Sequence, residues 1–305
     1  MIDREQLLDE LRPVAFAIAY RMLGSVSEAE DVVQEALLRV HQTLEAGEQI
    51  ASPRAFVATV TTRLAINELR SARARRERYV GEWLPEPIMT DGRDDPAQHA
   101  EMADSLSLAV LVMLESLSPE QRAALLLHDV FEYEYPEIAR IVGKSQDNVR
   151  QLATRARRHV EQRQPRFQTT RRQRDELARR FFAAAEHGDL AGLEALLAQD
   201  VVLTGDGGGK APALARPLRG RERVARTLIN WIRLGKRLPG VSMRHVELNG
   251  EPGALILDPQ QRLIGVWAID IDGDQIAGIS SIVNPEKLTH LGPVGDFGSL
   301  LRSAR

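Results

Sequence analysis

Apolar residues recur at helical spacing from the start of the chain. Leu7, Leu11, Val14, Ala15, Ile18 and Leu23 share one stripe, and Gly24 then breaks the run. Ser27 precedes Glu28 and Glu30, which predicts an N-cap followed by acidic residues in a first turn, and Val32, Val33, Ala36, Leu37 and Val40 form the next stripe. Ser52 and Pro53 open a third helix in which Phe56, Val57, Val60, Leu64, Ile66 and Leu69 face inward. Residues 5–78 therefore predict a domain of three or four helices. The periodicity is lost over 79–104, where Pro85, Pro87, Asp91, Gly92, Asp94, Asp95 and Pro96 mark a linker. Its one apolar spot is WLPEPI. Trp83 and Leu84 are costly to leave in water, so they are expected to dock on a domain of this chain or on a partner.

A second helical domain follows. Ser118 and Pro119 supply an N-cap and a first-turn proline, and residues 135–160 predict two short helices joined by a tight turn. Ala139 permits close helix contact, Gly143 permits left-handed geometry, and Val149 with Ile138, Val142 and Leu152 fills the wedge between the helices. The opposite face carries Arg150, Gln151, Thr154 and Arg155, suited to base edges, with Lys144, Arg157 and Arg158 suited to phosphates. An αα-hairpin with a solvated basic face fits the same residues. From 175 onward the pattern changes to a helix, a break at Gly188-Asp189, a second helix and a strand over 201–204. Further strands are predicted over 241–248, 254–258, 262–270 and 275–283, with tight turns at Asn249-Gly250 and Asp272-Gly273. Helices followed by a meander indicate an α+β domain over 175–290. Residues 291–305, with three Gly and no pattern, read as a tail.

Composition narrows the function classes. A chain of 305 residues with 43% hydrophobic content exceeds one small core, so two or three domains are expected. It has no run of eighteen apolar residues and no secretion leader, which predicts a soluble cytoplasmic protein without membrane attachment. With no cysteine, disulfides and thiolate ligands are excluded, and the seven His show no HxxxH pair, so neither metal nor cofactor is expected. The net charge of −3 hides strong local blocks. Residues 54–78 hold seven Arg against Glu68 and Glu77, a balance of +5. Residues 144–174 hold one Lys and nine Arg against Asp147 and Glu161, a balance of +8, and residues 82–104 between them carry −6. Two basic helical blocks suit a protein that touches DNA at two places; solvated helix faces would produce them too.

The C-terminal third offers His187, Asp200, His245, Asp258 and Asp270 for acid-base work, but most sit beside predicted turns or strand ends and form no dyad. DGGGK at 206–210 is not a phosphate loop, because GxxxxGK[ST] would need Gly at 204 and Ser or Thr at 211, where the chain has Thr204 and Ala211. Its glycines fit a close backbone approach at a docking surface.

These features resemble an extracytoplasmic-function sigma factor of the sigma-70 family with a SnoaL-like (NTF2-like) C-terminal extension. EAEDVVQEALLRV resembles the region that grips the clamp helices of the large polymerase subunit. PRAFVATVTTRLAINELRSARARR resembles the helix that meets the −10 element, and the helix-turn-helix corresponds to the domain that reads the −35 element. WLPEP at 83–87, DGGGK at 206–210 and NPEKL at 284–288 resemble signature patches of the subgroup with the fused domain. The resemblance implies a multidomain fold: an all-α sigma region 2 domain (1–78), an acidic linker (79–104), an all-α sigma region 4 domain with its helix-turn-helix (105–165), and an α+β cone-shaped domain enclosing a pocket (175–290), then a tail (291–305).

The resemblance also implies roles. Asp31, Gln34, Glu35 and Leu38 would meet core polymerase. Arg63, Asn67, Arg70, Ser71 and Arg73 would serve the −10 element, Asn67 and Ser71 at bases and Arg63 and Arg70 at phosphates, with a base pocket in the loop over 49–53. Lys144, Asn148, Arg150, Gln151, Thr154, Arg155 and Arg158 would serve the −35 element. Trp83, Leu84, Pro85, Asp206, Gly207, Gly208, Gly209, Lys210, Asn284, Pro285, Lys287 and Leu288 would make a regulatory contact, and the linker would thread the polymerase's nucleic-acid channel. The expected partners are core polymerase, promoter DNA and a small-molecule ligand of the pocket; no catalysis is expected. Two other readings stay open: a cyclase- or isomerase-like enzyme fused to a DNA-binding module, and a transcription factor that binds duplex DNA without polymerase.

Overall fold

Helices α1 (Arg4–Leu23), α2 (Val26–Glu45) and α3 (Pro53–Arg76) pack on one another through small buried residues. Ala15, Ala19, Ala36, Ala58 and Ala65 allow close approach, and Ile18, Val33, Val40 and Val57 fill the seams. Ser25, rather than the expected Ser27, caps α2, its hydroxyl accepting from the Glu28 amide at 3.2 Å. The helix starts two residues early because Val26 already has helical geometry. The structure is a computed structural model that describes residues 4–76, 78–90, 107–161 and 170–303. The chain divides into two units, Met1–Arg78 with Leu111–Gln164, and Tyr79–Val110 with Pro165–Arg305. The acidic stretch over 91–104 lies outside the described residues.

Helix α4 (Leu108–Leu114) begins in the second unit and enters the first at Leu111, and the first unit continues with α5 (Pro119–Asp129), α6 (Tyr135–Val142) and α7 (Gln146–Glu161). Ser118 and Gln121 form a capping box at α5. Gly143 ends α6 at φ +68°, ψ 38°, the left-handed geometry that lets α7 turn back across it. Ala124, Leu127, Ile138, Ile141, Val149 and Ala153 are the core of this helix-turn-helix. Among them are two of the wedge residues expected from the sequence, Ile138 and Val149; Val142 and Leu152 pack against them half-buried.

In the second unit, α8 (Arg171–His187) and α9 (Leu190–Leu196) are joined by Gly188, at φ +72°, and the N-cap Asp189. A six-stranded sheet follows in the order β2-β1-β6-β5-β4-β3. Its strands are β1 (Leu197–Asp206), β2 (Leu218–Arg219), β3 (Ser242–Leu248), β4 (Glu251–Leu257), β5 (Leu263–Asp272) and β6 (Gln275–Ile282). Only the β1–β6 pair is parallel. At the β3–β4 hairpin, Asn249 and Gly250 both have positive φ, 53° and 76°, as a two-residue turn of this twist requires. Helix α10 (Arg221–Arg237) and strand β2 are absent from the sequence expectations. The buried Val224, Ala225, Leu228 and Ile229 of α10 lie on one stripe against the sheet, while its other positions are largely polar. The tail is not patternless: it forms α11 (Phe297–Ser303), and Pro293 and Gly295 exchange backbone bonds with Leu263.

Phe181, Phe182, Leu193, Leu203, Trp267 and Ile279 pack the core between helices and sheet. Beyond them a largely apolar cavity of ≈ 440 Å³ opens, with Trp231, Trp267, Met243 and Ile256 in its wall and Phe297 and Leu301 of α11 closing one side. Its volume lies within the usual range of small-molecule sites, about 300–1,000 Å³.

Candidate functional site: a linker clasp and two basic helix faces

In the second unit the three signature strings meet around one buried ion pair. Asp206, at the end of β1, is fully buried. Its carboxylate accepts from Lys287 Nζ at 2.7 Å, from the Tyr79 hydroxyl at 2.5 Å and from the Leu84 amide at 2.8 Å. Its backbone carbonyl accepts from the amides of Val283 and Asn284 at 2.8 and 3.1 Å. Lys287, only 5% exposed, also donates to the Leu84 carbonyl, and its ammonium sits 4.1 Å from the Trp83 ring centroid and 5.0 Å from that of Tyr79. A buried charge pair is tolerated when its remaining hydrogen-bonding capacity is satisfied, and here the linker backbone supplies that satisfaction. Burial, reinforced by the bond to Asp206, raises the pKa of Tyr79, so its hydroxyl stays a donor.

Local sequence makes the convergence fit. Asn284 caps the 3₁₀ turn over Pro285–Lys287, accepting from the Glu286 amide at 3.2 Å, and this turn brings Lys287 inward. Asn284 Nδ2 donates to the Tyr79 hydroxyl at 2.8 Å. The glycines of DGGGK keep the approach open. A Cβ on Gly207 would lie 2.1 Å from the Ala211 carbonyl, and one on Gly208, at φ +57°, 2.4 Å from Asn284 Nδ2. Lys210 instead pairs with Glu286 at the surface. The linker then runs to the β3–β4 hairpin. Ile88 donates to Asn249 Oδ1 at 3.0 Å and accepts from the Asn249 amide at 2.9 Å, and the Thr90 amide donates to the Glu247 carbonyl at 3.0 Å. His290 Nε2 donates to the Pro87 carbonyl at 2.6 Å.

Trp83, Leu84, Asp206, Gly207, Gly208, Asn284 and Lys287 are thus brought together. Leu288 is fully buried nearby in the chain. Tyr79, Asn249, Thr90 and His290 also belong to this assembly and were missed. Asn249 had read only as a turn residue, and Tyr79 stands four residues ahead of WLPEP without a motif of its own.

In the first unit, the −35 candidates Lys144, Asn148, Arg150, Gln151, Thr154, Arg155 and Arg158 are all exposed on α7 and the turn before it. Arg157 is committed elsewhere: both arms of its guanidinium bind Asp129, one at 2.8 Å, and Nη1 reaches the Tyr135 hydroxyl at 3.3 Å. It locks α7 to α5 instead of presenting a free cation. On α3, Asn67 and Ser71 are exposed, the Ser71 hydroxyl donating to the Asn67 carbonyl at 3.3 Å. Arg63 donates to the carbonyls of Ile141 and Arg140 at 2.9 and 2.8 Å, and Arg70 pairs with Glu120 at 2.6 Å. Two −10 candidates are therefore occupied by α5 and α6. Arg73 lies on the same helix. The buried Arg122 extends this contact, donating to the Met22 carbonyl at 2.5 Å and to Glu115 at 2.9 Å. On α2, Asp31, Gln34 and Leu38 are exposed, Leu38 at 48%, and Glu35 pairs with Arg39 at 2.8 Å. No helix among the described residues is long and apolar enough to cross a membrane, and no group of three or more His, Asp or Glu there is placed to hold a metal.

Residues 7–75 match the sigma-70 region 2 family and residues 107–160 the sigma-70 region 4 family. The chain is 38% identical over 292 residues to the ECF RNA polymerase sigma factor SigJ of Mycobacterium tuberculosis, covering 92% of each chain. It is 31% identical to the probable ECF sigma factor SigI of the same species, covering 90% of this chain and 91% of that one. The crystal structure of SigJ superposes with a TM-score of 0.76 at 36% identity, over 94% of this chain and 98% of that one. With both sigma regions in place and a relative of this similarity spanning nearly its whole length, the chain belongs to the extracytoplasmic-function RNA polymerase sigma factor family.

Proposed function

We propose that this sigma factor is regulated in cis by its α+β domain, which grips the start of the linker and so controls what the linker offers to polymerase. The observation that carries the reading is the Lys287 ammonium, bound at once by Asp206, the Leu84 carbonyl and the Trp83 ring. A linker that must thread the polymerase has to leave this clasp, at the cost of exposing a buried pair. In the bound state Asp31, Gln34, Glu35 and Leu38 meet the clamp helices of core polymerase. Arg63, Asn67, Arg70, Ser71 and Arg73 serve the −10 element, and Lys144, Asn148, Arg150, Gln151, Thr154, Arg155 and Arg158 the −35 element. Freeing Arg63 and Arg70 from α6 and α5 is part of that transition. The protein works in the cytoplasm, where polymerase does.

The cavity serves binding rather than turnover. Its titratable lining residues are Glu186 and Lys236, both exposed, and none of His187, Asp200, His245, Asp258 or Asp270 lines it. A ligand there biases the clasp if it prefers one of the two arrangements, since Gly205 and Val283 line the cavity and immediately precede Asp206 and Asn284. The reading is tested by binding the full chain to immobilised core polymerase beside Lys287→Met. Weakening the clasp is expected to change the affinity at least fivefold; equal affinities would count against cis control.

A further inference from the structure

Among the described residues, one buried hydroxyl of the cavity wall has no hydrogen-bond partner. Ser281 lies on β6 directly opposite Trp267 of β5 and beside Gly205 of β1, and the three form a row across the sheet that lines the cavity. Both Ser281 and Trp267 are buried and both line the cavity. Among the described residues the Ser281 hydroxyl makes no hydrogen bond. Ser281 is 5% exposed as a residue, and a hydroxyl that faces an apolar cavity is unfavourable unless something satisfies it. The remaining wall is largely aromatic and aliphatic, and its two charged members, Glu186 and Lys236, stand at its solvent-exposed side. There Lys236 Nζ is already engaged by the Glu186 carbonyl at 2.5 Å, and the Glu186 carboxylate faces His245 at 3.6 Å.

We propose that this cavity is the site of a neutral, ring-containing apolar molecule bearing one hydroxyl or carbonyl group, which the Ser281 hydroxyl anchors against the aromatic wall formed by Trp231 and Trp267. The two indoles, with ring centroids 6.0 Å apart and planes tilted by 43°, pack on each other and together form an aromatic wall for a flat ring system. An ionised group would lose its water there without a counter-charge deep in the cavity, which selects against acids and amines. Phe297 and Leu301, one turn apart on α11, close over the occupant, and the anchor sits three residues before Asn284 of the clasp. The proposal rests on the reading of the cavity as a ligand site and adds the chemistry of the ligand and the residue that selects it.

The test is calorimetric titration of the full chain and of Ser281→Ala with two probes, 2-naphthol and naphthalene. Wild type is expected to bind 2-naphthol about fivefold more tightly, the value of one ordinary hydrogen bond. Ser281→Ala is expected to bind both equally, with its naphthalene affinity unchanged, which also shows that the variant folds. Equal binding of both probes to wild type, or a preference that survives in Ser281→Ala, overturns the anchor while leaving the cavity a ligand site. Failure of both probes to bind wild type overturns the anchor and the ligand site together.

Discussion

Asp206 and Lys287 show what a single buried pair does in this molecule. Each is nearly or fully buried, and each is satisfied by atoms of the linker, so the pair holds the linker as much as it holds the domain. Asp206→Asn leaves the ammonium buried against neutral groups and is expected to lower stability by about 3 kcal/mol, measured by urea unfolding of the full chain. Glu286→Gln, which removes the exposed pair with Lys210, is expected to change it by less than about 0.5 kcal/mol. Asp270 behaves oppositely to a paired carboxylate. Burial first, then the charge of Asp272, lifts its pKa to about 6. Because the folded value exceeds the unfolded one of about 3.9, the folded state holds the extra proton, and stability falls as pH rises from about 4 to about 6. Asp270→Asn is therefore expected to stabilise the protein by about 2 kcal/mol at pH 7 and not at all at pH 4, as thermal unfolding at the two pH values will show.

At the scale of elements, the role proposed for α3 at DNA competes with the contacts it makes within its unit. Its Arg63 and Arg70 are suited to DNA phosphates, yet they bond to α6 and α5. Glu120 is the acid that binds Arg70; burial works to raise its pKa, but the bond and charge of Arg70, with the backbone and Lys144, hold it below the usual carboxylate value. Glu120→Ala is expected to change stability by no more than about 1 kcal/mol while freeing one cation. Single-stranded DNA binding then tightens, and the log–log salt slope steepens by about 0.7, read by anisotropy across a salt series. The α-helices with a one-sided apolar stripe were legible in the sequence, as were the β-strands bounded by Asn249-Gly250 and Asp272-Gly273. Helix α10 was overlooked although Val224, Ala225, Leu228 and Ile229 keep helical spacing, and β2 is too short for any periodicity. The strings WLPEP, DGGGK and NPEKL were legible as words. Their meeting at Asp206 was not, because Tyr79, Asp206, Asn249 and Lys287 are joined only by the fold. The Ser281 position was equally hidden, since strand alternation puts a residue on a face without saying that the face encloses a cavity.

The whole molecule joins a sigma factor to a domain that holds its linker. Promoter-specific transcription in vitro with bacterial core polymerase tests that claim most directly, comparing the full chain with Lys287→Met and with truncations after Arg163 and after Leu288. Truncation after Leu288 keeps the Asp206–Lys287 pair while removing His290 and, from the cavity wall, Phe297 and Leu301, whereas truncation after Arg163 removes the clasp. The account predicts transcripts that require the protein and whose yield differs between the full chain and the forms with a broken clasp. Transcripts of equal yield from every form, or none from any folded form, would contradict it.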